Sequence, residues 1–192
     1  MKIIDMDLGK LLYQAKKPTA NPGGGALVIA IAAMAVNIVR MMGGRNVSHE
    51  TLDNISDRLV DLIQEDVDYA NALVKEYKKG NKVDKKYFLM AASPQIELVD
   101  LSIKALDYIK SILENGKLDA ISDGIIANNL LLEVVRDAMP TIRVNLDPIS
   151  KSYDYDEKID CAKKLHKRNQ QIIERRLKWQ EYMWSLLSWR SQ

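Results

Sequence analysis

Four stretches of the chain combine residue types that can do chemistry. The first is Asn21-Pro22-Gly23-Gly24-Gly25, which runs straight into an apolar segment beginning Ala26-Leu27-Val28-Ile29. Pro22 disfavours helix at Asn21, so the chain turns there. The glycines let another group come close to the main chain. A helix starting here presents unpaired N–H groups and a positive dipole end, which suit anionic or carbonyl oxygens. The stretch is not a Walker phosphate loop, since no Gly-Lys-Ser/Thr follows, and it lacks the spacing and preceding strand of a dinucleotide fingerprint. Taken alone, it reads equally as a ligand cradle or as a tight turn between closely packed helices.

The second stretch is Ser122-Asp123-Gly124, a polar pair and a glycine opening another apolar segment, which on its own reads as a helix cap. The third is Asp66, four residues after Leu62 and four before Ala70 on an otherwise apolar stripe. A carboxylate there has to find a partner, face a wet cavity or reach solvent at the helix edge. The fourth is Arg143-Val144-Asn145, a cation and an amide set amid apolar residues just beyond Pro140.

The elements that must position these residues are all helical. Asp7 caps a short helix from Leu8 to about Lys16. An Ala-rich helix, apolar all round, then runs from Ala26 to Met41 or Met42 and stops at Gly43-Gly44. Its small residues permit close helix approach, so it belongs at the middle of a bundle. Ser48 is the expected N-cap of a third helix carrying Leu52, Ile55, Leu59, Leu62, Ile63 and Leu73 as far as Gly80. A fourth helical region reaches about Glu114, with its regular part expected to start at Pro94 behind a Ser93 cap and a left-handed Gly116 at its end. Its expected buried stripe includes Ile96, Val99, Ile103 and Leu106. A fifth helix, capped by Ser122 or Asp123, is expected to kink or break at Pro140. A charged helix covers Asp154 to Ser188, with Cys161, Leu165, Ile172, Leu177 and Tyr182 as apolar positions. Trp179, Trp184 and Trp189 share no single stripe, so its end is expected to pack on several surfaces or on a partner subunit. No segment alternates as a strand does, and the chain reads as an all-α multi-helix bundle.

Composition narrows the function classes. The 192 residues fit one domain, with a core over about 5–150 and the final helix over about 154–188. With 28 Lys plus Arg against 26 Asp plus Glu there is no basic excess that would point to nucleic acid. Cys161 is the only cysteine, which excludes a disulfide framework or a thiolate zinc site and fits a reducing cytoplasm. The start, Met-Lys-Ile-Ile-Asp, does not read as a signal peptide. Ala26–Met42, interrupted by Asn37 and Arg40, is an unpersuasive membrane span.

In order and spacing, these stretches resemble the family that comprises the C-terminal domain of formiminotransferase-cyclodeaminase and stand-alone methenyltetrahydrofolate cyclohydrolases. The resemblance rests on a short Leu-rich helix, then Pro22-Gly23-Gly24-Gly25 before an Ala-rich helix, Ile121-Ser122-Asp123-Gly124, and Arg143-Val144-Asn145-Leu146. Asp66 falls where the family has an Asp in its third helix, and the likeness spans roughly residues 5–150. The chain departs from the pattern at Ala26, where the family usually has Ser, and at Pro140 and Thr141, where it usually has Leu-Asn. The lysine-rich stretch after the second helix is reduced to Met42-Gly43-Gly44-Arg45.

The resemblance implies a self-associating helical domain, usually a homodimer, that binds a folate between helices and requires no cofactor or metal. It implies hydrolysis of 5,10-methenyltetrahydrofolate to 10-formyltetrahydrofolate. The alternative is cyclisation of formiminotetrahydrofolate with loss of ammonia, or a folate-binding or assembly protein that keeps the fold without turnover. The cyclohydrolase is the expected form, since no formiminotransferase domain is attached in this sequence. The methenyl carbon is already electrophilic, so one placed carboxylate can orient or deprotonate the water. Asp123 is expected to be that carboxylate, with Ser122 beside it and Asp66 as a second acid or base; pairing with the pterin is the other role open to Asp123. Gly23, Gly24 and Gly25 are expected against the ligand, with Arg143 and Asn145 binding the pterin or the glutamate carboxylates. Lys16 or Arg45 would steer the tail.

Overall fold

The computed structural model describes residues 2–18, 21–43 and 48–189, with the backbone alone for 183–189. Six helices carry the chain: α1 Leu8–Ala15, α2 Gly24–Val39, α3 Glu50–Tyr77, α4 Lys85–Asn115, α5 Ile121–Leu146 and α6 Tyr155–Trp189. No strand occurs among the described residues. Short 3-10 turns precede α1 and α5 and follow α2 and α5.

The side-chain pairings give the topology. Gly25 lies against Asp66 and Asn37 bonds Ser56, so α2 and α3 are antiparallel. Arg58 on α3 reaches Glu97 on α4, while Gly124 on α5 meets Leu113 on α4, so each of these neighbours also reverses direction. α6 runs parallel to α4: Lys158 pairs with Asp100 at 2.7 Å and Arg168 with Asp107 at 2.7 Å. Farther along, Arg176 donates to the carbonyls of Leu113 and Gly116, both at 2.6 Å. α2 contributes Ala26, Ile29, Ala32, Ala35, Val36 and Val39 to the core, and its small side chains let α3 and α5 pack close.

Several helix ends differ from expectation for identifiable reasons. Asp7 caps α1 as expected, accepting from the Lys10 N–H at 2.7 Å. Ser48 does not cap α3; His49 holds that position without a side-chain bond, and the Ser48 carbonyl accepts from the Tyr108 hydroxyl instead. α4 begins nine residues before Pro94, capped by Asp84, and continues through the proline. Pro94 has no N–H for the Met90 carbonyl. The Ser93 hydroxyl donates to that carbonyl at 2.8 Å, which repairs the loss. Pro140 likewise fails to break α5, because it lies exposed, where water takes the carbonyl it frees. Ser122 and Asp123 fall in the first turn of α5 behind an Ala120 N-cap, so neither is its cap.

Gly116 is not left-handed (φ −71°). It is small because a Cβ there would sit 2.6 Å from the Ile112 carbonyl and 3.0 Å from that of Gly43. On α4 the buried face centres on Ala91, Gln95, Leu98, Ser102 and Leu106 rather than on Ile96 and Ile103, which are only partly covered.

α6 belongs to the core, through buried Ala162, Asn169, Ile172 and Ile173, whereas Cys161 and Tyr182 are exposed. Trp179 is 61% exposed; the side chains of Trp184 and Trp189 lie outside the described residues. Asn169 fixes the register of α6: its amide donates to the Leu106 carbonyl at 2.8 Å and to Asn128 Oδ1 at 3.0 Å. Asn169→Ala leaves a cavity and strips Asn128 Oδ1 of its donor. It is expected to cost about 2–3 kcal/mol in urea unfolding.

Candidate functional site

The glycine turn, α3 and the end of α5 meet around a cavity of about 290 Å³. Asp66, Gly23, Gly24, Gly25, Thr141 and Asn145 line it. Leu73, Val74 and Ala91 supply an apolar side. This combination of apolar wall and a few convergent polar groups is what small-molecule sites use.

Asp66 is buried, at 8% exposure, and its surroundings explain why a carboxylate survives there. The Gln95 amide donates to Oδ1 at 2.7 Å, and the Ala26 backbone N–H, one of the free donors of the α2 N-terminus, bonds the same carboxyl group. Burial outweighs both bonds and holds the Asp66 carboxyl above the ordinary range of aspartate. Such a group exchanges a proton more readily near neutrality than a solvated aspartate does.

The glycines divide by role. A Cβ on Gly25 would lie 2.7 Å from both Asp66 oxygens and 2.7 Å from Gln95 Nε2, so the acid and its amide partner occupy the space a side chain would need. A Cβ on Gly24 meets nothing within 4 Å, so the main chain there is open to a ligand. Gly24→Ala is therefore expected to fold at least as stably, gaining up to about 1 kcal/mol of helix propensity. If the ligand lies on that backbone, kcat/KM should fall roughly tenfold through KM. Gly23 has an ordinary extended backbone, φ −84°.

The other expected site residues lie apart. Ser122 and Asp123 sit at the far end of α2, where α5 starts against Met42. The 16 residues of α2 separate them from the glycine turn by about 24 Å. Arg143 is exposed, its guanidinium 4.7 Å from the centre of the Tyr155 ring, and it does not line the cavity. Asn145 does line it, its amide donating to the Thr141 carbonyl at 2.9 Å. Lys16 is the exposed C-cap of α1, and Arg45 lies outside the described residues. Gln95 was not singled out from the sequence. The signal was available, since it precedes Leu98 by three and Val99 by four on a buried stripe, the same pattern that marks Asp66.

A larger hollow of about 540 Å³ lies between the end of α4 and α6, lined by Glu114, Arg175, Arg176 and Trp179. Arg176 is committed there to two main-chain carbonyls, and no buried acid faces the space. Among the described residues, no three His, Cys, Asp or Glu side chains are grouped to hold a metal ion.

Residues 7–165 match the sequence pattern of the formiminotransferase-cyclodeaminase family. No curated protein matches the chain in sequence. Among solved structures, the chain is similar to the formiminotetrahydrofolate cyclodeaminase of Thermotoga maritima, with a TM-score of 0.80 and 18% identity. The alignment covers 90% of this chain and 98% of that one, and at this identity the likeness shows a shared fold. With a sequence match over residues 7–165 and the same helical architecture, the chain belongs to the formiminotransferase-cyclodeaminase family.

Proposed function

We propose that the cavity beside Asp66 receives the pterin end of a reduced folate and that the protein hydrolyses 5,10-methenyltetrahydrofolate to 10-formyltetrahydrofolate. The observation that supports this most directly is a buried carboxyl group of raised pKa lining the same cavity as the glycine turn, whose backbone is open at Gly24. The cavity suits a bicyclic ring rather than a whole folate, so the benzoyl-glutamate end extends outside it. Water adds to the methenyl carbon, forming a C–O bond and giving one proton to the Asp66 carboxylate. The N5–C bond then breaks, N5 takes a proton, and the second proton of the water passes to solvent. Asp66 serves as base in the first half and acid in the second, two uses favoured by burial that holds its carboxyl above the ordinary aspartate range.

Cyclodeamination is the second reading. It is favoured by the name of the structural neighbour, a formiminotetrahydrofolate cyclodeaminase. There N10 attacks the formimino carbon carried on N5 and gives up its proton, the C–N bond to the former imino nitrogen breaks, and that nitrogen leaves as ammonia after taking a proton that an acid in the place of Asp66 can supply. Both substrates are to be tested with the purified full chain by following the methenyl chromophore. Its decay above the uncatalysed rate supports the cyclohydrolase, and its appearance from formiminotetrahydrofolate supports the cyclodeaminase. Neither change, with folate binding retained in a titration, would leave a binding protein.

A further inference from the structure

The end of α6 outruns the helix it packs on. α4 stops at Asn115, whereas α6 continues to Trp189. Arg176 already lies level with the last turn of α4, bonded to the Leu113 and Gly116 carbonyls. The hollow of about 540 Å³ lies here, lined by Glu114 of α4, Leu118 of the following turn, and Ile172, Arg175, Arg176 and Trp179 of α6. The four α6 residues fall at intervals of three and four, so they share one face of that helix. The Asp66 cavity is at the other end of the bundle. The Lys117 N–H donates to the Met42 carbonyl at 2.7 Å, and the 16 residues of α2 separate that point from the glycine turn by about 24 Å. All four α6 residues of the lining fall beyond residue 165, where the match to the family ends.

This hollow holds positive charge that the described residues do not balance. Arg176 is half-buried and bonded to carbonyls alone, and burial lowers its pKa with no carboxylate to offset it. Arg175 spends only its Nε, on the Gln171 carbonyl at 3.3 Å, and makes no ion pair among the described residues. The carboxylate in the lining, Glu114, lies 4.0 Å from Lys110. A cation drawn from water without a counter-charge is unfavourable, and an anion in the hollow relieves it. Arg176 also covers the carbonyl end of α4, whose dipole would otherwise repel an anion. Trp179, 61% exposed, offers an indole face four residues beyond Arg175, about 6 Å along the helix axis. We propose that the hollow binds a guanine nucleotide, its base stacked on Trp179 and its phosphate on Arg175 and Arg176. A guanidinium has five N–H donors, so Arg176 keeps some for the phosphate after bonding two carbonyls. Guanine is the base chosen because its N1–H and 2-amino group are adjacent donors that match the two oxygens of Glu114. A pterin carries the same edge, so the shared chemistry is a 2-amino-4-oxopyrimidine ring with an anionic tail. The nucleotide fits the spacing better: its phosphate is one ribose from the base, whereas the carboxylates of a folate lie beyond an aminobenzoyl group. The volume is within the range of small-molecule sites.

The site does not rest on the folate reading, and its test is binding rather than turnover. Titrated calorimetrically into the full chain, GMP is expected to bind once per chain and more tightly than UMP or inorganic phosphate. Trp179→Leu should weaken GMP about five- to hundredfold through lost stacking. Arg175→Gln should weaken it roughly tenfold through lost charge-assisted bonds. Both side chains are exposed, so both variants should keep the wild-type Tm without nucleotide. Glu114→Gln should narrow the preference for GMP over UMP, since an amide replaces one acceptor by a donor. Absence of GMP binding, or binding indifferent to both α6 substitutions, overturns the proposal. Phosphate bound as tightly as GMP overturns it too, because the base would then contribute nothing. Affinity for GMP that falls in Asp66→Asn would place the nucleotide in the other cavity. Displacement of GMP by 5-formyltetrahydrofolate, itself sensitive to Trp179→Leu, would assign the hollow to a pterin and overturn the nucleotide. Absence of methenyl turnover in the wild type would count against the folate reading and leave this site standing.

Discussion

Replacing Asp66 by asparagine is expected to slow turnover by a factor of about 10² to 10⁴ while leaving the protein at least as stable at neutral pH. Asparagine is the informative choice because of how the carboxyl group is held. Its two donors are the Gln95 amide and the Ala26 N–H. An asparagine has one acceptor oxygen, which can keep the Ala26 bond. The Gln95 carbonyl oxygen is buried without a partner, so turning the Gln95 amide over lets it accept from the new side-chain amide. Alanine would instead strand both buried donors, at about 1–3 kcal/mol each, and would confuse lost chemistry with lost folding.

The pH dependence gives a second signature. The folded-state pKa of Asp66 is raised, so the folded chain holds this proton to higher pH than the unfolded chain does. The associated stability is fully present below the unfolded value, near 3.9, and is lost as pH rises through the folded value. Above that, the native state carries a buried charge. Urea midpoints measured across this range should therefore show the variant gaining on the wild type as pH rises. A variant equally active, or one that loses stability relative to the wild type with rising pH, would contradict the role of Asp66 and its environment respectively.

How far the sequence reaches into this fold is clear from where it succeeds and fails. Periodicity locates α3, α5 and α6 because each presents a polar face to water and an apolar face to the core, which is what a 3.6-residue stripe records. It misplaces the start of α4 and the continuity of α5 because both turn on prolines. Whether Pro94 or Pro140 stops a helix depends on what takes the freed carbonyl: the Ser93 hydroxyl in one case, solvent in the other. Neither partner is visible in a local pattern. Asp66 stands out in the sequence as a charge on an apolar stripe, and Gln95 carries the same mark less loudly. Their meeting across α3 and α4, under a glycine of α2, is a tertiary fact that no spacing encodes. That Asp123 lies at the opposite end of α2 from the glycine turn is a tertiary fact of the same kind. Motif order along a chain says nothing about which end of a helix each motif occupies, and α5 runs antiparallel to α2.

Gly25→Ala is expected to lose about 2 kcal/mol, or roughly 4–8 °C in Tm for a chain of this size, in contrast to the tolerated Gly24→Ala next to it. The backbone itself does not object, since positive φ among the described glycines is confined to Gly43 and Gly80. Alanine also has the better helix propensity, by about 1 kcal/mol. The loss arises from space: the new methyl would stand 2.7 Å from three polar atoms. Two belong to a short carboxylate and one to a fully buried amide, none of them free to swing into solvent. Moving Asp66 breaks its bonds to Gln95 and Ala26 and turns the acid away from the cavity, so activity should fall with stability. A double-mutant cycle separates this account from a generic packing defect. In an Asp66→Ala background the two obstructing oxygens are gone, and the Gln95 amide, no longer held by the carboxylate, can shift into the space they leave. Gly25→Ala should then cost little or become stabilising, and the coupling between the two sites should be at least about 1 kcal/mol. Additive losses would mean that Gly25 is required for some reason other than the acid beneath it.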